Sequence, residues 1–349
     1  MRLERREGTT FALIVSAPLA AIAVALMLSG GLIAIAGANP MDAYFEMVRG
    51  AFGSRLSISE TLTRTTPLIL TGLAAAVAFR TRLWNIGGEG QLYAGALIAA
   101  WLGHSIGTTV PSPLAILIVL LSGMVAGALL LLGPVLLRIR LGVDEVVTTL
   151  ILNFIVLLFV SMMIEGPMKD PLAFGWPQSV AVGNEVLLPK ILERTRLHAG
   201  LLIAVAAAVL IWFVQSRTVF GLETRAAGLN QKAAAFAGVA LGPTLLGVAC
   251  ISGALAGLAG AIEVTGLKGY VTLDLSPGYG YSGIVVAMLA GLHPIGVVIT
   301  ALFVAVIFVG ADSMSRALGV PSFIADVIVS ISLLTMLVSL LFTSYRIRR

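Results

Sequence analysis

The sequence predicts an all-α, polytopic membrane protein, and its composition, its apolar runs and its basic residues all point to that class. Of the 349 residues, 58% are hydrophobic and 11% are charged, whereas an ordinary soluble domain has about 25% charged residues. A soluble protein of this length needs more polar surface to cover its core. The apolar runs are long and continuous, which favours helices over the alternating pattern of a transmembrane barrel.

Ten segments are predicted to cross the membrane, three of them shorter than the roughly 20 residues of a full span. The first, Phe11–Ala36, exceeds the about 7–15 apolar residues of a signal peptide, so we expect it to be retained. Between it and the next span, Asn39–Thr66 has apolar residues at helical spacing and is predicted to be an amphipathic helix at the outer interface. The remaining spans are Pro67–Phe79, Gln91–Ser105, Pro113–Leu137, Glu145–Glu165, His198–Val214, Leu241–Val264, Tyr281–Gly291, Pro294–Gly310 and Ser322–Phe342.

Basic residues in two short turns predict the orientation of the chain. An even number of spans places both ends on one side of the membrane. Arg80 and Arg82 lie in one turn on that side, and Arg138 and Arg140 lie in another. Short cytoplasmic loops are enriched in Lys and Arg, so both termini are predicted to be cytoplasmic. We attribute the net charge of +5 to this topology and expect no nucleic-acid partner.

A polar stretch, Arg80–Gln91 (RTRLWNIGGEGQ), separates two short apolar segments, and we call it the polar break. It contains Asn85, Glu89 and Gln91 among adjacent glycines. Such backbone is tolerated at membrane depth only where it lines a cavity or is buried in protein, and an ionisable residue there is costly. Two interpretations remain open: part of a substrate pathway, or a cytoplasmic turn in which Glu89 is solvated.

The second half of the sequence has a comparable interruption. Gly266–Gly280 is loop-like, and the apolar segment after it, Tyr281–Gly291, is too short to cross alone. Interrupted segments in corresponding positions of two halves are typical of transporters built from inverted repeats. We predict one repeat over 67–165 and a second over 241–342. An outer loop, 166–197, and an inner segment, 215–240, lie between them.

Further polar residues and missing motifs restrict the chemistry. Asn153 lies one turn after Thr149 in the fifth span, where it could join helices or line a cavity. The sequence has no GxxxxGK[ST] phosphate loop and no Cys/His cluster with metal-ligand spacing. We therefore predict no cofactor, no metal site and no enzymatic activity in this chain.

The inner segment 215–240 contains a second candidate site. Its Ala-rich, charged part, Leu222–Ala237, predicts a short cytoplasmic helix with a break at Gly228 or Asn230. Such a helix could be a solvated connector or a surface that a soluble motor subunit grips.

These motifs resemble those of the permease subunits of bacterial ABC importers for simple sugars, nucleosides and branched-chain amino acids. The resemblance covers about Ser57–Leu341. LWNIGGEGQ (Leu83–Gln91) is similar to the signature of the nucleoside-type branch, as are GVDEVVTTLILNFI (Gly142–Ile155) and GYSGIVVAMLAG (Gly280–Gly291). The run ETRAAGLNQKAAAFAGV resembles the coupling segment that docks on the ATPase. The coupling residues that it implies are Glu223, Arg225, Gly228, Asn230 and Ala234.

The resemblance implies a permease of the bacterial inner membrane that moves a nucleoside or a related small polar solute into the cytoplasm. Its partners would be a cytoplasmic ABC ATPase, an extracytoplasmic substrate-binding protein and a second permease, with a heterodimer favoured. For the pathway we name Trp84, Asn85, Glu89, Gln91, Asn153 and Tyr281.

Two alternatives remain at this stage. A simple-sugar ABC permease would share most of these motifs. An ion-coupled secondary transporter would instead use the intramembrane carboxylates Glu89 and Glu263 as proton or cation sites.

Overall fold

The computed structural model describes residues 2–5, 11–106 and 110–348, with side chains for 20–106 and 110–339. Within them the chain forms two compact units, one of Met1–Arg64 with Leu302–Arg349 and one of Thr65–Ala301. The helices in chain order are α1 (Phe11–Ile35), α2 (Pro40–Phe52), α3 (Arg55–Phe79), α4 (Gly88–Ser105), α5 (Ser112–Leu141), α6 (Glu145–Glu165), α7 (Gly200–Arg217), α8 (Val219–Leu229), α9 (Gln231–Phe236), α10 (Leu241–Ile262), α11 (Tyr279–Leu289), α12 (Pro294–Leu318) and α13 (Ser322–Ser344). Two short strands, β1 (Arg2–Arg5) and β2 (Tyr345–Arg348), pair antiparallel.

The all-α membrane class is confirmed. Seven helices of the described chain are long and apolar enough to cross a membrane, or eight if α1 and α2, bent by 114°, form one broken span. The predicted number of ten is not confirmed. The helix α4 is absent from these spans because Glu89, Gln91, His104 and its glycines lower its hydropathy. The helix α11 has 11 residues, about 16 Å at 1.5 Å per residue, which is too short for the hydrocarbon core.

The interfacial helix predicted over Asn39–Thr66 is wrong in its second half. The helix α2 ends at Phe52, and residues 55–66 are the first part of the long helix α3. The hydroxyls of this part make it look polar in sequence, but those of Thr61 and Thr63 bond to carbonyls of the same helix, and that of Thr61 also bonds to the Ala51 carbonyl of α2 at 3.1 Å. Thr63 Oγ1 donates to the Ser59 carbonyl at 2.8 Å, and Thr61 Oγ1 donates to the Ser57 carbonyl at 3.1 Å. Satisfied hydroxyls of this kind are compatible with a buried helix.

The unit of residues 65–301 is built on α4, α5 and α10, which we call the helix trio. Their backbones touch at glycines. A β-carbon at Gly257 would lie 2.1 Å from the Gly123 carbonyl oxygen, and one at Gly95 would lie 2.1 Å from the Gly257 carbonyl oxygen. One at Gly260 would lie 1.9 Å from the Leu92 carbonyl oxygen. Small residues permit this close approach of membrane helices, and the trio supports the polar break at the start of α4.

Two short helices form the inner segment. The helix α8 ends and α9 begins at Asn230, so the break lies at one of the two predicted positions. The Asn230 side chain accepts a hydrogen bond from the Ala233 amide at 3.1 Å and caps α9.

The second interruption starts with a change of helix type. At Glu263 the helix α10 continues as a π-helical segment, Glu263–Lys268, and Gly269 then ends it in a left-handed conformation. The loop 269–278 leads to α11. The relation of 67–165 to 241–342 by inverted repetition stays a prediction.

Candidate substrate pathway and coupling segment

The starts of α4 and α11 meet inside the protein. Glu89 Oε2 accepts a hydrogen bond from the Gly280 amide at 2.7 Å. A β-carbon at Gly280 would lie 2.2 Å from the Glu89 nitrogen, so only glycine permits this approach. The residue that precedes α11, Gly278, has no side chain to cap the helix. Glu89 supplies a side-chain acceptor at the first turn instead.

A buried amide pair closes the polar break on itself. The Asn85 amide nitrogen donates to the Gln91 side-chain oxygen at 3.0 Å, and the Gln91 amide nitrogen donates to the Asn85 oxygen at 2.8 Å. Asn85 also donates to Ser252 Oγ at 3.0 Å, and Ser252 donates to the Ala74 carbonyl at 2.7 Å. The pair therefore links the polar break to α3 and α10. Both amide side chains form their hydrogen bonds with other groups of the protein.

Asn153 connects α6 to the break and to α11. It accepts from the Gly90 amide at 2.8 Å and donates to the Ile86 carbonyl at 2.9 Å. Its amide nitrogen also donates to the Tyr281 hydroxyl at 3.1 Å. One fully buried side chain thus satisfies backbone groups that the interrupted helix leaves open.

The six predicted pathway residues are brought together, but they differ in exposure. Asn85, Glu89, Gln91 and Asn153 are buried, whereas Trp84 is 43% exposed and Tyr281 is 40% exposed. The Trp84 ring packs edge-on against Phe79 with ring centroids 4.8 Å apart. Two aromatic rings therefore present surface beside a polar network that holds them in place.

An ion pair near the break was not identified from the sequence. Glu145 accepts from the Arg138 guanidinium and, at 3.2 Å, from the Trp84 amide. Arg138 also donates to the carbonyl of Arg82 at 3.1 Å, and Arg82 has a positive φ of 57°. In the sequence, Glu145 was noted only as the first residue of a predicted span, and its closeness to Arg138 and Arg140 was the available signal.

The coupling segment contacts the first residues of the break. A β-carbon at Gly228 would lie 1.9 Å from the Arg80 carbonyl oxygen, so α8 rests directly on this backbone. The Arg80 guanidinium donates to the Gln215 side chain at the end of α7. Burial, followed by the charge of Arg225, lowers the pKa of Arg80. Displacement of α8 would therefore act on the residues that lead into Trp84.

The other predicted coupling residues differ in whether their side chains pack against the protein or are exposed. Glu223 accepts from Thr244 on α10 at 3.3 Å, and Ala234 is buried. Arg225 and Asn230 are exposed. Sequence reasoning missed three exposed apolar side chains on the same two helices, Leu222, Leu229 and the 97% exposed Phe236. Apolar residues at the ends of a charged helix were the signal for them.

The acidic residues and histidines do not form a metal site in the part of the chain that the structure describes, where no group of three or more His, Cys, Asp or Glu could hold an ion. Glu263 is buried at the start of the π-helical segment.

The fold and these contacts define a polytopic permease, and sequence comparison gives its family. Residues 57–341 match the family described as "Branched-chain amino acid transport system / permease component". The chain belongs to this family. As an ABC permease subunit it is a transport component and not an enzyme, and it works with ATPase and substrate-binding partners.

The chain matches three curated relatives over most of their length. The guanosine ABC transporter permease protein of Bacillus subtilis is 35% identical over 319 residues, which is 91% of this chain and 91% of the relative. The nucleoside ABC transporter permease protein of Lactococcus lactis is 34% identical over 89% of this chain and 87% of its own length. The glucose ABC transporter permease protein of Haloferax volcanii is 32% identical over 99% of this chain and 93% of its own length. No solved structure matches the chain.

Proposed function

We propose that this permease moves nucleosides into the cytoplasm and that Trp84 and Tyr281 are the residues that meet the cargo. The observation that carries the proposal is the contact of Tyr281 with Asn153. The hydroxyl is held by the buried amide while the ring is 40% exposed. A nucleobase can stack on such a ring, and one aromatic–base contact is worth about 1–3 kcal/mol. A contact of that strength is enough to recognise a nucleoside and weak enough to release it.

In this proposal the buried residues position the pathway and do not contact cargo. Asn85, Gln91 and Asn153 use their amides on each other, on Ser252 and on backbone. Glu89 holds the start of α11. Their substitution would move Trp84 and Tyr281 and impair uptake without removing a cargo contact.

Coupling to ATP hydrolysis is proposed to pass through α8 and α9. The exposed Arg225, Leu222, Leu229 and Phe236 form the surface for the ATPase. Its movement would reach the break through the contact of Gly228 with Arg80.

The cargo is tested with the chain reconstituted in liposomes together with its ATPase, its second permease and its binding protein. We expect ATP-dependent uptake of labelled guanosine that unlabelled nucleosides compete away and glucose does not. Tyr281→Phe keeps the ring and should retain most uptake, whereas Tyr281→Ala should lower it severalfold with ATPase activity present. Equal uptake by both variants would remove Tyr281 from the pathway.

A simple sugar is the second candidate cargo. One of the relatives above is a glucose permease, which is 32% identical over 99% of this chain. Competition by glucose and not by nucleosides would support this candidate. An ion-coupled secondary transporter would require uptake by the chain alone without ATP, which family membership does not support.

We further propose a heterodimer of two permeases and cytoplasmic termini in the bacterial inner membrane. The heterodimer rests on the resemblance to nucleoside systems, which often have two different permeases. The orientation is supported by Arg80 and Arg82 in the turn after α3 and by Arg138 and Arg140 in the last turn of α5. The pairing of β1 with β2 supports placing both ends on the same side.

A further inference from the structure

A closed hairpin follows α6 in the outer loop, and its construction is rigid. We call residues 168–180 the tip hairpin. Asp170 donates its amide to the Gln178 carbonyl at 3.1 Å, and Val180 donates to the Met168 carbonyl at 2.9 Å. The Asp170 carboxylate accepts from the Leu172 amide at 2.9 Å and from the Gln178 side chain at 3.0 Å. These bonds hold the two sides of the hairpin together.

The tip of this hairpin carries large apolar side chains in the open. Leu172 is 80% exposed, Phe174 is fully exposed and Trp176 is 61% exposed. They alternate along the chain with Ala173 and Gly175, and Phe174 and Gly175 have positive φ values of 48° and 90°. Three adjacent large apolar groups on a fixed turn form a patch that water does not stabilise and that indicates an interaction site.

The position of the hairpin indicates lipid as the occupant. It begins three residues after Glu165, the last residue of α6. The exposed side chains of α6 are apolar along most of the helix, among them Ile151, Phe154, Leu158 and Met162, as expected for a helix surface that contacts acyl chains. Leu172, Phe174 and Trp176 follow shortly after the end of α6, and the Met168 amide at the base of the hairpin donates to the Met163 carbonyl of α6 at 2.8 Å. Trp is enriched at membrane–water interfaces, where an amphipathic ring is favourable.

We propose that the tip hairpin is a bilayer anchor, which inserts Leu172, Phe174 and Trp176 among the lipids at the membrane surface next to the end of α6. Lys169 at its base is exposed and carries a positive charge, which lipid phosphates attract. The occupant is the lipid interface itself, and the proposal rests on the membrane span α6 and not on the identity of the cargo.

The base of the hairpin is hydrogen-bonded to the loop before α11, so anchoring of the tip would also restrain that loop. Ser179 donates its amide to the Val271 carbonyl at 2.9 Å, and the Val271 amide donates to Ser179 Oγ at 2.9 Å. Val182 donates to the Gly269 carbonyl at 2.8 Å. The anchor therefore holds the loop 269–278, which leads directly to the Gly280 amide bound by Glu89.

The test is a nitroxide label at Phe174→Cys in a Cys250→Ser background, with the chain and its partner subunits in phosphatidylcholine vesicles. Electron paramagnetic resonance compares collisions of the label with oxygen, which concentrates in lipid, and with a water-soluble nickel chelate. Leu158→Cys on α6 is the lipid reference, and Asn184→Cys in the same outer loop is the aqueous reference. Phe174 is fully exposed, so its replacement removes no internal contact.

We expect the oxygen-to-nickel ratio at position 174 to approach that at 158 and to exceed that at 184. A ratio equal to that at 184 overturns the proposal. A label that becomes immobilised only when the purified binding protein is added also overturns it, because the tip would then be a protein-docking surface. Neither result bears on which solute is transported.

Discussion

Asn153 is the side chain on which most of the local geometry depends. Asn153→Ala would leave the Gly90 amide and the Ile86 carbonyl without their partner in a buried site. Two unsatisfied buried groups at about 1–3 kcal/mol each give an expected loss of roughly 2–6 kcal/mol in stability, together with a strong loss of uptake. Thermal unfolding of the purified complex and uptake in liposomes measure both.

Thr148→Ala is the matched control for Asn153. Thr148 lies on the same helix, and its hydroxyl donates only to carbonyls of that helix, at 3.1 and 3.2 Å. We expect little change in either measurement. Equal stability of the two variants would show that the three bonds of Asn153 carry no net energy.

His198 predicts a pH dependence of stability. The ring is buried, its Nδ1 accepts from the Gly200 amide at 3.2 Å, and burial lowers the pKa of His198 to about 4. The unfolded chain takes up this proton below its ordinary pKa of about 6.5, whereas the folded chain does so only near 4. Stability is therefore complete above about pH 6.5 and falls as the pH drops towards 4, by about 2 kcal/mol at pH 5.

His198→Asn isolates this effect, because the amide oxygen can still accept from Gly200 and does not titrate. Between pH 7 and pH 5 we expect the melting temperature of the parent protein to fall further than that of the variant. Parallel melting curves across this range would contradict the assignment to His198.

At the residue scale, the sequence predicted a group of side chains that the fold brings together, but not which of them are buried and which are exposed. Glycines beside Asn85, Glu89 and Gln91 indicated an interrupted helix, and Tyr281 followed from a second interruption. Which side chains are exposed depends on contacts between residues far apart in sequence, such as Asn85 with Ser252 and Asn153 with Tyr281. No local pattern encodes such contacts.

At the element scale, α8 is predicted to work as a lever on the polar break. Gly228→Leu places a side chain where the Arg80 carbonyl lies, so α8 must move away from the break. We expect ATPase activity to continue while uptake falls severalfold. The ratio of solute imported to ATP hydrolysed, measured in the same liposomes, reports this uncoupling.

Gly242→Leu provides the control for Gly228, since no atom lies within 4 Å of a β-carbon at that position near the start of α10. It should leave the transport ratio unchanged. A normal ratio in Gly228→Leu would exclude the contact with Arg80 as the route of coupling.

The helix trio makes a separate prediction about packing. Gly257→Ala places a methyl group 2.1 Å from the Gly123 carbonyl oxygen, and backbone cannot give way as a flexible side chain can. We expect a loss of 1–3 kcal/mol or more, as for other overpacked cores. In Gly133→Ala, on α5, the new methyl meets no atom within 4 Å, and alanine favours the helix. Comparable melting temperatures for the two variants would disprove the close packing.

Hydropathy predicted most elements well and failed where polar groups are satisfied inside a helix. The helix α6 has the predicted bounds, and the break between α8 and α9 lies at Asn230. The start of α3 was missed because Thr61 and Thr63 are polar in composition while their hydroxyls bond to the helix itself. A scale that scores residues one at a time cannot register those bonds.

At the scale of the whole molecule, the orientation of the chain is open to a direct test. Single cysteines added at each end, in a Cys250→Ser background, should be labelled by a membrane-impermeant maleimide only after the cells are opened. Asn184→Cys in the outer loop should be labelled in intact cells. Labelling of either terminus in intact cells would refute the proposed topology.

The glycine contacts of the helix trio also bear on movement. Where backbone rests on backbone, no side chain can change rotamer to let one helix slide, so α4, α5 and α10 should travel as a rigid body. Movement during transport would then be absorbed by segments outside the trio, such as residues 80–87 between α3 and α4. A transport cycle of this permease would be a motion of hinges, with these three helices carried along unchanged.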